Sequence, residues 1–305
     1  MYALILLGII GGTFIPAQTA VNTRLKQFTG SVFITSFYSF LVGTTLLFLA
    51  NLFINPGYFS TDFFMSQNYS YIWFFGGIFG VIFLTGNIIL LPKIGASLTV
   101  IMTVSGQMIS SFLIDTFGWF NASPKDVHLM HIVGILLLIF GVIFMNARRT
   151  VAVPGANSRI WILFGLFTGT LVPMQTAVNG ALNEETGSFV FATLISFTVG
   201  TTILLILSLL IEKRISLKFQ AGTEKLKLWH FLGGLLGAST LAFNALLMPE
   251  LGATLTMMAV IVGQILMGLL IDQLGLFGLP KQRIDARRLA AVAMIVTGIL
   301  LLQFF

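Results

Sequence analysis

The stretch Pro16-Ala17-Gln18-Thr19-Ala20-Val21-Asn22 occurs twice in this sequence, the second time as Pro173-Met174-Gln175-Thr176-Ala177-Val178-Asn179. The two copies are 157 residues apart. The same offset, without a gap, relates further polar and glycine positions: Gly43-Thr44-Thr45 with Gly200-Thr201-Thr202, Asn87 with Asn244, Gly106-Gln107 with Gly263-Gln264, and Asp115 with Asp272. Shared composition does not hold polar residues in register over such a length, so the chain is an internal duplication.

The composition is that of a protein whose main solvent is lipid. Of the 305 residues, 57% are hydrophobic and 9% are charged, and the mean hydropathy is +1.00. A soluble domain carries about 25% charged residues, so too little polar surface is left to cover a water-soluble globule. The absence of cysteine excludes disulfides and thiolate metal sites.

Ten apolar stretches are each close to the roughly 20 residues that cross a bilayer. Backbone amides cannot stay unpaired in lipid, so these stretches are predicted to be helices. We therefore predict an all-α membrane protein with ten transmembrane helices, over residues 2–22, 31–54, 70–92, 95–118, 128–147, 160–182, 188–211, 228–249, 252–276 and 288–305. The first stretch lacks a basic n-region and matches residues 158–179, which predicts a retained helix rather than a signal peptide.

Each copy of the repeat contains five predicted helices, an odd number, so the second copy must enter the membrane from the opposite side. This predicts a first half over 1–147, a cytoplasmic linker over 148–158 and an inverted second half over 159–305. Alternating loops place 15 of the 16 Lys and Arg residues on one side, which the positive-inside rule makes cytoplasmic. Both termini are then outside, and topology explains the net charge of +6 without nucleic acid.

Motifs of the common enzyme classes are missing from the sequence. It contains no GxSxG, no HExxH, no phosphate-binding Walker loop and no His/Asp/Glu cluster with ligand spacing. We therefore predict that the chain is not an enzyme and needs no cofactor or metal.

Polar residues within the predicted helices are the candidates for ligand binding. Gln107 and Gln264 lie near the centre of the fourth and ninth helices. A primary amide offers two donors and an acceptor, which must bind either another helix or a ligand, and the sequence leaves both roles open. The predicted substrate-binding residues are Gln107, Gln264, Gln18, Gln175, Asn22, Asn179, Asn87 and Asn244.

Pro16 and Pro173 lie inside the first and sixth predicted helices. Proline cannot donate a hydrogen bond to the carbonyl four residues earlier, here that of Gly12 or Gly169. Irregular backbone at membrane depth is tolerated where it is buried or lines a cavity, so the two segments are candidates for kinked, cavity-lining elements with the prolines as hinges; a purely structural kink is the alternative. The motifs Gly8-x-x-x-Gly12 and Gly165-x-x-x-Gly169 predict close helix packing.

Asp115 and Asp272 are the acidic residues inside predicted spans, at equivalent positions of the two halves. A buried carboxylate can exchange protons, which makes both residues candidates for ion coupling. The alternative is an interfacial carboxylate reached by water, since neither residue lies at the centre of its span.

The inverted five-plus-five repeat, the glycine-rich third and eighth helices and the duplicated Pro-x-Gln-Thr-Ala-Val-Asn motif resemble the drug/metabolite transporter superfamily. Within it the chain is most similar to the bacterial YdcZ-type branch, whose antiparallel five-helix halves occur separately or fused. The resemblance covers residues 1–305 and implies a secondary transporter with a central cavity between the halves. Small multidrug exporters of this superfamily carry a glutamate in the first helix, where Gln18 and Gln175 are neutral, which argues against proton-coupled export of lipophilic cations.

The expected function is therefore secondary transport of a small organic metabolite or drug-like molecule across the inner membrane by alternating access. The expected partners are this substrate and the lipid bilayer, without nucleic acid. A monomer is favoured over a dimer, because the repeat internalises the symmetry that separate halves obtain by dimerising. The rival interpretation is a non-transport membrane protein, such as a lipid-handling or scaffold subunit.

Overall fold

The computed structural model describes residues 1–122, 124, 128–146, 158–215, 225–278 and 286–304. Within these residues all regular secondary structure is helical. The predicted linker lies outside the described residues except for Ser158, which begins a helix.

Nine α-helices follow one another along the described part of the chain. They are α1 (Tyr2–Thr29), α2 (Val32–Ile54), α3 (Thr61–Ser66), α4 (Ile72–Phe117), α5 (Leu129–Asn146), α6 (Ser158–Thr186), α7 (Phe189–Leu207), α8 (Leu232–Leu274) and α9 (Ala286–Phe304). Six described segments are long and apolar enough to cross a bilayer. The short helix α3, capped by the Ser60 side chain, lies in a stretch predicted to be a loop.

The structure places two predicted spans within α4 and two within α8, where the sequence predicts separate helices. In α8 the helical dihedrals are interrupted at Gly252, with φ 78° and ψ 173°, a conformation open to glycine. Leu247 and Ala259, on either side of this break, both approach Gly8 of α1: a Cβ built there would lie 3.2 Å and 2.8 Å from their side chains. A straight helix would separate residues 247 and 259 by about 18 Å. The two arms of α8 therefore fold back along α1.

Helix α4 is folded in the same way along α6. A Cβ built on Gly165 would lie 3.7 Å from Leu90 Cδ1 and 3.0 Å from Met102 Cβ. These three residues are the equivalents, at the repeat offset, of the three residues that define the reversal of α8. The two copies of the repeat thus share one tertiary arrangement.

Equivalent residues of the two copies of the repeat contact each other between α2 and α7. Thr44 Oγ1 lies 2.8 Å from Thr201 Oγ1, and the rings of Phe40 and Phe197 stack with centroids 4.8 Å apart. Residues of two related halves contact their own equivalents only near the axis that exchanges the halves. A pseudo-twofold axis therefore passes between α2 and α7.

The halves defined by the sequence are interlocked in space. Helix α1 packs chiefly on α8, α6 on α4, α2 on α7 and α5 on α9, so each of these pairs joins the first half to the second. The arrangement yields two equivalent bundles, which we call bundle A (α1 with α8) and bundle B (α6 with α4).

Glycines bring the helix backbones together within each bundle. A Cβ on Gly12 would overlap the backbone carbonyl of Val260, and one on Gly169 would overlap that of Thr103. The prediction of close packing at the two Gly-x-x-x-Gly motifs is confirmed.

Replacing Gly12 by alanine is expected to destabilise the protein, because the methyl group meets backbone atoms that cannot rotate away. Overpacking of this kind costs about 1–3 kcal/mol or more. The change is measured as a lower melting temperature of the purified protein in detergent. Gly268→Ala is the matched control, because a Cβ there meets nothing within 4 Å. Equal melting temperatures for the two variants would contradict the packing.

Candidate functional site

A cavity of about 70 Å³ lies at the pseudo-twofold axis. Six pairs of its lining residues are related by the repeat offset: Ile15 and Val172, Gln18 and Gln175, Phe40 and Phe197, Gly80 and Gly237, Phe83 and Thr240, and Leu84 and Leu241. Thr176 and Asn244 complete the lining. Both halves therefore build one shared cavity. Its volume is that of a few water molecules, and it must widen to admit an organic molecule, since such sites usually have volumes of about 300–1,000 Å³.

Gln18 and Gln175 present their amides to this cavity. Among the described residues, neither side chain has a hydrogen-bond partner. Glycines make room for both amides: Gln18 Nε2 lies against Gly237, and a Cβ on Gly80 would be 2.5 Å from Gln175 Nε2. The structure thus brings together two predicted substrate-binding residues with unused donors and acceptors.

Asn244 adds a third polar group to the lining. Its side chain is 2% exposed, and Nδ2 donates to Thr176 Oγ1 at 3.5 Å, while Oδ1 has no partner. The hydroxyl of Thr240 donates to backbone carbonyls and is already satisfied. The equivalent residue, Asn87, is half-buried outside the lining, with its Oδ1 also unpartnered.

Asn22 and Asn179 join neighbouring helices outside the cavity. Asn22 Nδ2 donates to Ser39 Oγ at 3.3 Å, and Ser196 Oγ donates to Asn179 Oδ1. Each bond connects the repeated motif to the next helix of the same half. These bonds link adjacent helices, and substrate binding by the two asparagines stays a prediction.

Gln107 and Gln264 also lie outside the cavity lining. Gln107 is 2% exposed and its Oε1 has no partner, while Gln264 is half-buried with Nε2 unpartnered. Their neighbours Met108 and Ile265 belong to an apolar cluster. That both amides reach one central ligand stays a prediction.

The proline segments flank the cavity without interrupting their helices. Helices α1 and α6 continue through Pro16 and Pro173. Ile15 and Gln18, on either side of Pro16, line the cavity. This placement agrees with the expectation that the proline segments line a cavity. The hinge role of Pro16 and Pro173 stays a prediction.

The Asp115 carboxylate caps the second arm of α8. Oδ1 accepts the backbone N–H of Ala253 at 2.7 Å, and Oδ2 accepts that of Thr254 at 2.8 Å. These amides follow the break at Gly252, where a new helical arm leaves its first N–H groups without helical partners. A carboxylate at this position satisfies them and complements the helix dipole. The cap explains why a 4% exposed carboxylate is tolerated.

This cap connects α4 to α8, and therefore the first half of the sequence to the second. An additional coupling role for Asp115 stays a prediction. The side chain of Asp272, its equivalent and the second coupling candidate, lies outside the described residues.

Apolar helices, a duplicated half and a cavity on the axis between the copies define a multi-pass membrane protein of the internal-repeat class. The family model "Putative inner membrane exporter, YdcZ", of the drug/metabolite transporter group, matches residues 3–144 and again residues 160–301. The chain therefore belongs to the YdcZ family and is a multi-pass protein of the inner membrane. The two matches are separated by the repeat offset, which confirms the fused two-half organisation.

The fold is also found among solved structures. One crystal structure, whose description states no function, matches with a TM-score of 0.66 and 13% sequence identity. The match covers 99% of this chain and 97% of the other. No curated protein matches the sequence significantly. At this identity the solved structure supports the fold alone.

Replacing Asp115 by alanine is expected to lower stability by about 1–2 kcal/mol, because two backbone N–H groups lose their acceptor. The measurement is the melting temperature of the purified protein, read together with the transport assay below. Asp62→Ala is the control, since Asp62 is an exposed carboxylate in the first turn of α3. Loss of proton-driven transport in Asp115→Ala at unchanged stability would instead assign Asp115 to coupling.

Proposed function

We propose that the chain is a secondary transporter that moves a small organic molecule across the inner membrane by alternating access. The observation that carries this proposal is the cavity on the pseudo-twofold axis, lined by six equivalent residue pairs. Two related units that share a site equally can move so that the site opens to one side of the membrane. The symmetry-related movement then opens it to the other side. Membership in a transporter family supports the same function and argues against an enzyme.

The proposed moving units are the two bundles rather than the two halves of the sequence. Bundle A supplies Gln18 and the Gly237 that accommodates it, and bundle B supplies Gln175 and Gly80. Backbone contacts hold each bundle together, so relative rotation of the bundles preserves both glutamine–glycine pairs. Phe40 and Phe197, which stack on the pseudo-twofold axis, belong to α2 and α7, outside both bundles.

The proposed topology has ten membrane spans with both termini outside. Each arm of α4 and α8 counts as one span, and α3 lies outside the bilayer. The halves cover residues 1–147 and 159–305, with the cytoplasmic linker 148–158 between them. The support is the concentration of 15 of 16 basic residues on one side.

The proposed energy source is an ion or substrate gradient, because the sequence contains no nucleotide-binding motif. The family description names an exporter, and we take outward movement as the direction. The proposed working unit is a monomer in the bilayer, with the substrate as its other partner. Asp115 and Asp272 remain the proposed coupling residues.

Transport is tested with inside-out vesicles incubated in a cytosolic extract under an imposed proton gradient. Mass spectrometry then compares the solutes retained by vesicles with and without the protein. Wild type and Gly268→Leu are expected to accumulate a solute that Gly237→Leu does not, since a side chain at 237 occupies the position of the Gln18 amide. Gel filtration checks that both variants fold. Identical solute profiles with and without wild type would contradict transport and favour a scaffold role.

The topology is tested with single cysteines, for which the natural sequence provides a cysteine-free background. Ser66→Cys and Phe305→Cys are expected to react with an impermeant maleimide in intact cells, and Ala221→Cys only after permeabilisation. Labelling at 221 with protection at 66 would overturn the proposed orientation.

A further inference from the structure

None of the described residues that line the axial cavity carries a charge. Its polar members are glutamine, threonine and asparagine side chains: Gln18, Gln175, Thr176, Thr240 and Asn244. At membrane depth a charged ligand without a compensating charge is strongly disfavoured. The described lining residues therefore select against ligands that carry charged groups.

Three amide groups in this lining have unused hydrogen-bonding capacity. Gln18 and Gln175 have no partner among the described residues, and Asn244 Oδ1 is a buried acceptor without a donor. Buried polar groups are nearly always paired, by protein, water or ligand. The lining thus offers donors and acceptors side by side, which is the pattern that another carboxamide, or a ring lactam, complements.

Another part of the lining is aromatic. Phe40 and Phe197 stack at an interplanar angle of 29°, with Phe83 also in the lining. A Cβ built on Gly80 would touch both Gln175 Nε2, at 2.5 Å, and Phe40 Cζ, at 3.3 Å. The amide and the ring are therefore close neighbours, so one planar molecule can bond the first and contact the second.

We propose that this cavity takes an uncharged, planar molecule with a carboxamide-type donor–acceptor pair. The polar edge binds the Gln18 or Gln175 amide, and the ring lies against the Phe40–Phe197 pair. The inference rests on the proposed function only in taking the axial cavity as the substrate site. Because the two glutamines belong to different bundles, one polar group can bond either of them as the bundles move.

Four compounds with one pyridine ring separate the effect of charge from that of shape. They are nicotinamide (neutral), nicotinate (anion), 1-methylnicotinamide (cation) and N-methylnicotinate (zwitterion). Isothermal titration calorimetry of the full-length protein in nanodiscs is expected to show nicotinamide binding. The three probes that carry charged groups are expected to bind with about a hundredfold lower affinity. The cation also tests whether the aromatic faces bind a positive charge directly.

Two sets of variants connect the binding to the named amides. Gln18→Leu with Gln175→Leu is expected to abolish nicotinamide binding, whereas Gln27→Leu, an exposed glutamine elsewhere on α1, leaves it unchanged. Gln175→Glu keeps the shape of the side chain and adds a negative charge. The variant protein is therefore expected to prefer 1-methylnicotinamide to nicotinamide. This exchange of preference reports on the site even where the double variant fails to fold.

Equal or tighter binding of any charged probe by the wild type would overturn the proposal, as would the absence of binding by all four. Counterflow of labelled nicotinamide in proteoliposomes separates this result from the proposed function. Selective binding without flux would sustain the ligand class and refute transport. Flux of other solutes, with a charged probe preferred in binding, would sustain transport and refute the ligand class.

Discussion

The close approach of helix backbones at Gly12 and Gly169 is the constraint on which the remaining structure depends. Lipid gives apolar helices no hydrophobic reason to associate, so contact must come from packing, and packing is closest where side chains are absent. These glycines seat α1 on α8 and α6 on α4. The two sequence halves are thereby interlocked, and the molecule becomes two mixed bundles around an axis marked by Phe40 and Phe197.

Interlocking explains where the polar groups of the repeated motif are found. Within one seven-residue motif the asparagine bonds a serine of the next helix, while the glutamine faces the cavity between the bundles. Positions 18 and 22 lie on the same face of α1, one turn apart along its axis, so their different depth along the helix gives the two side chains different neighbours. Asp115 also links the two halves, because its carboxylate caps a helical arm that belongs to the other half of the chain.

The candidate site could be predicted only in part because depth and helix face are separate variables. Hydropathy places Gln107 and Gln264 near the middle of their spans. It does not indicate which way a side chain faces around the helix axis, and therefore whether it faces a cavity or an apolar cluster. The structure puts their neighbours Met108 and Ile265 in such a cluster. Gln18 and Gln175 were recognisable because a proline and a recurring motif marked them. The glycines opposite them, Gly80 and Gly237, become meaningful only once α4 and α8 pack alongside.

The sequence by itself determined the membrane class, the duplication and its register, the transporter family and the neutral glutamines of the motif. Each of these follows from the composition or from the offset between the two copies of the repeat. Neither requires knowledge of which residues are in contact in the folded protein. Tertiary structure alone decided that α4 and α8 reverse along α6 and α1, that the halves interlock, and that Asp115 is a helix cap. These features depend on contacts between residues far apart in the chain, such as Asp115 with Ala253. Their physical cause is steric: a glycine permits a contact, but the shape of the partner backbone selects which contact is made.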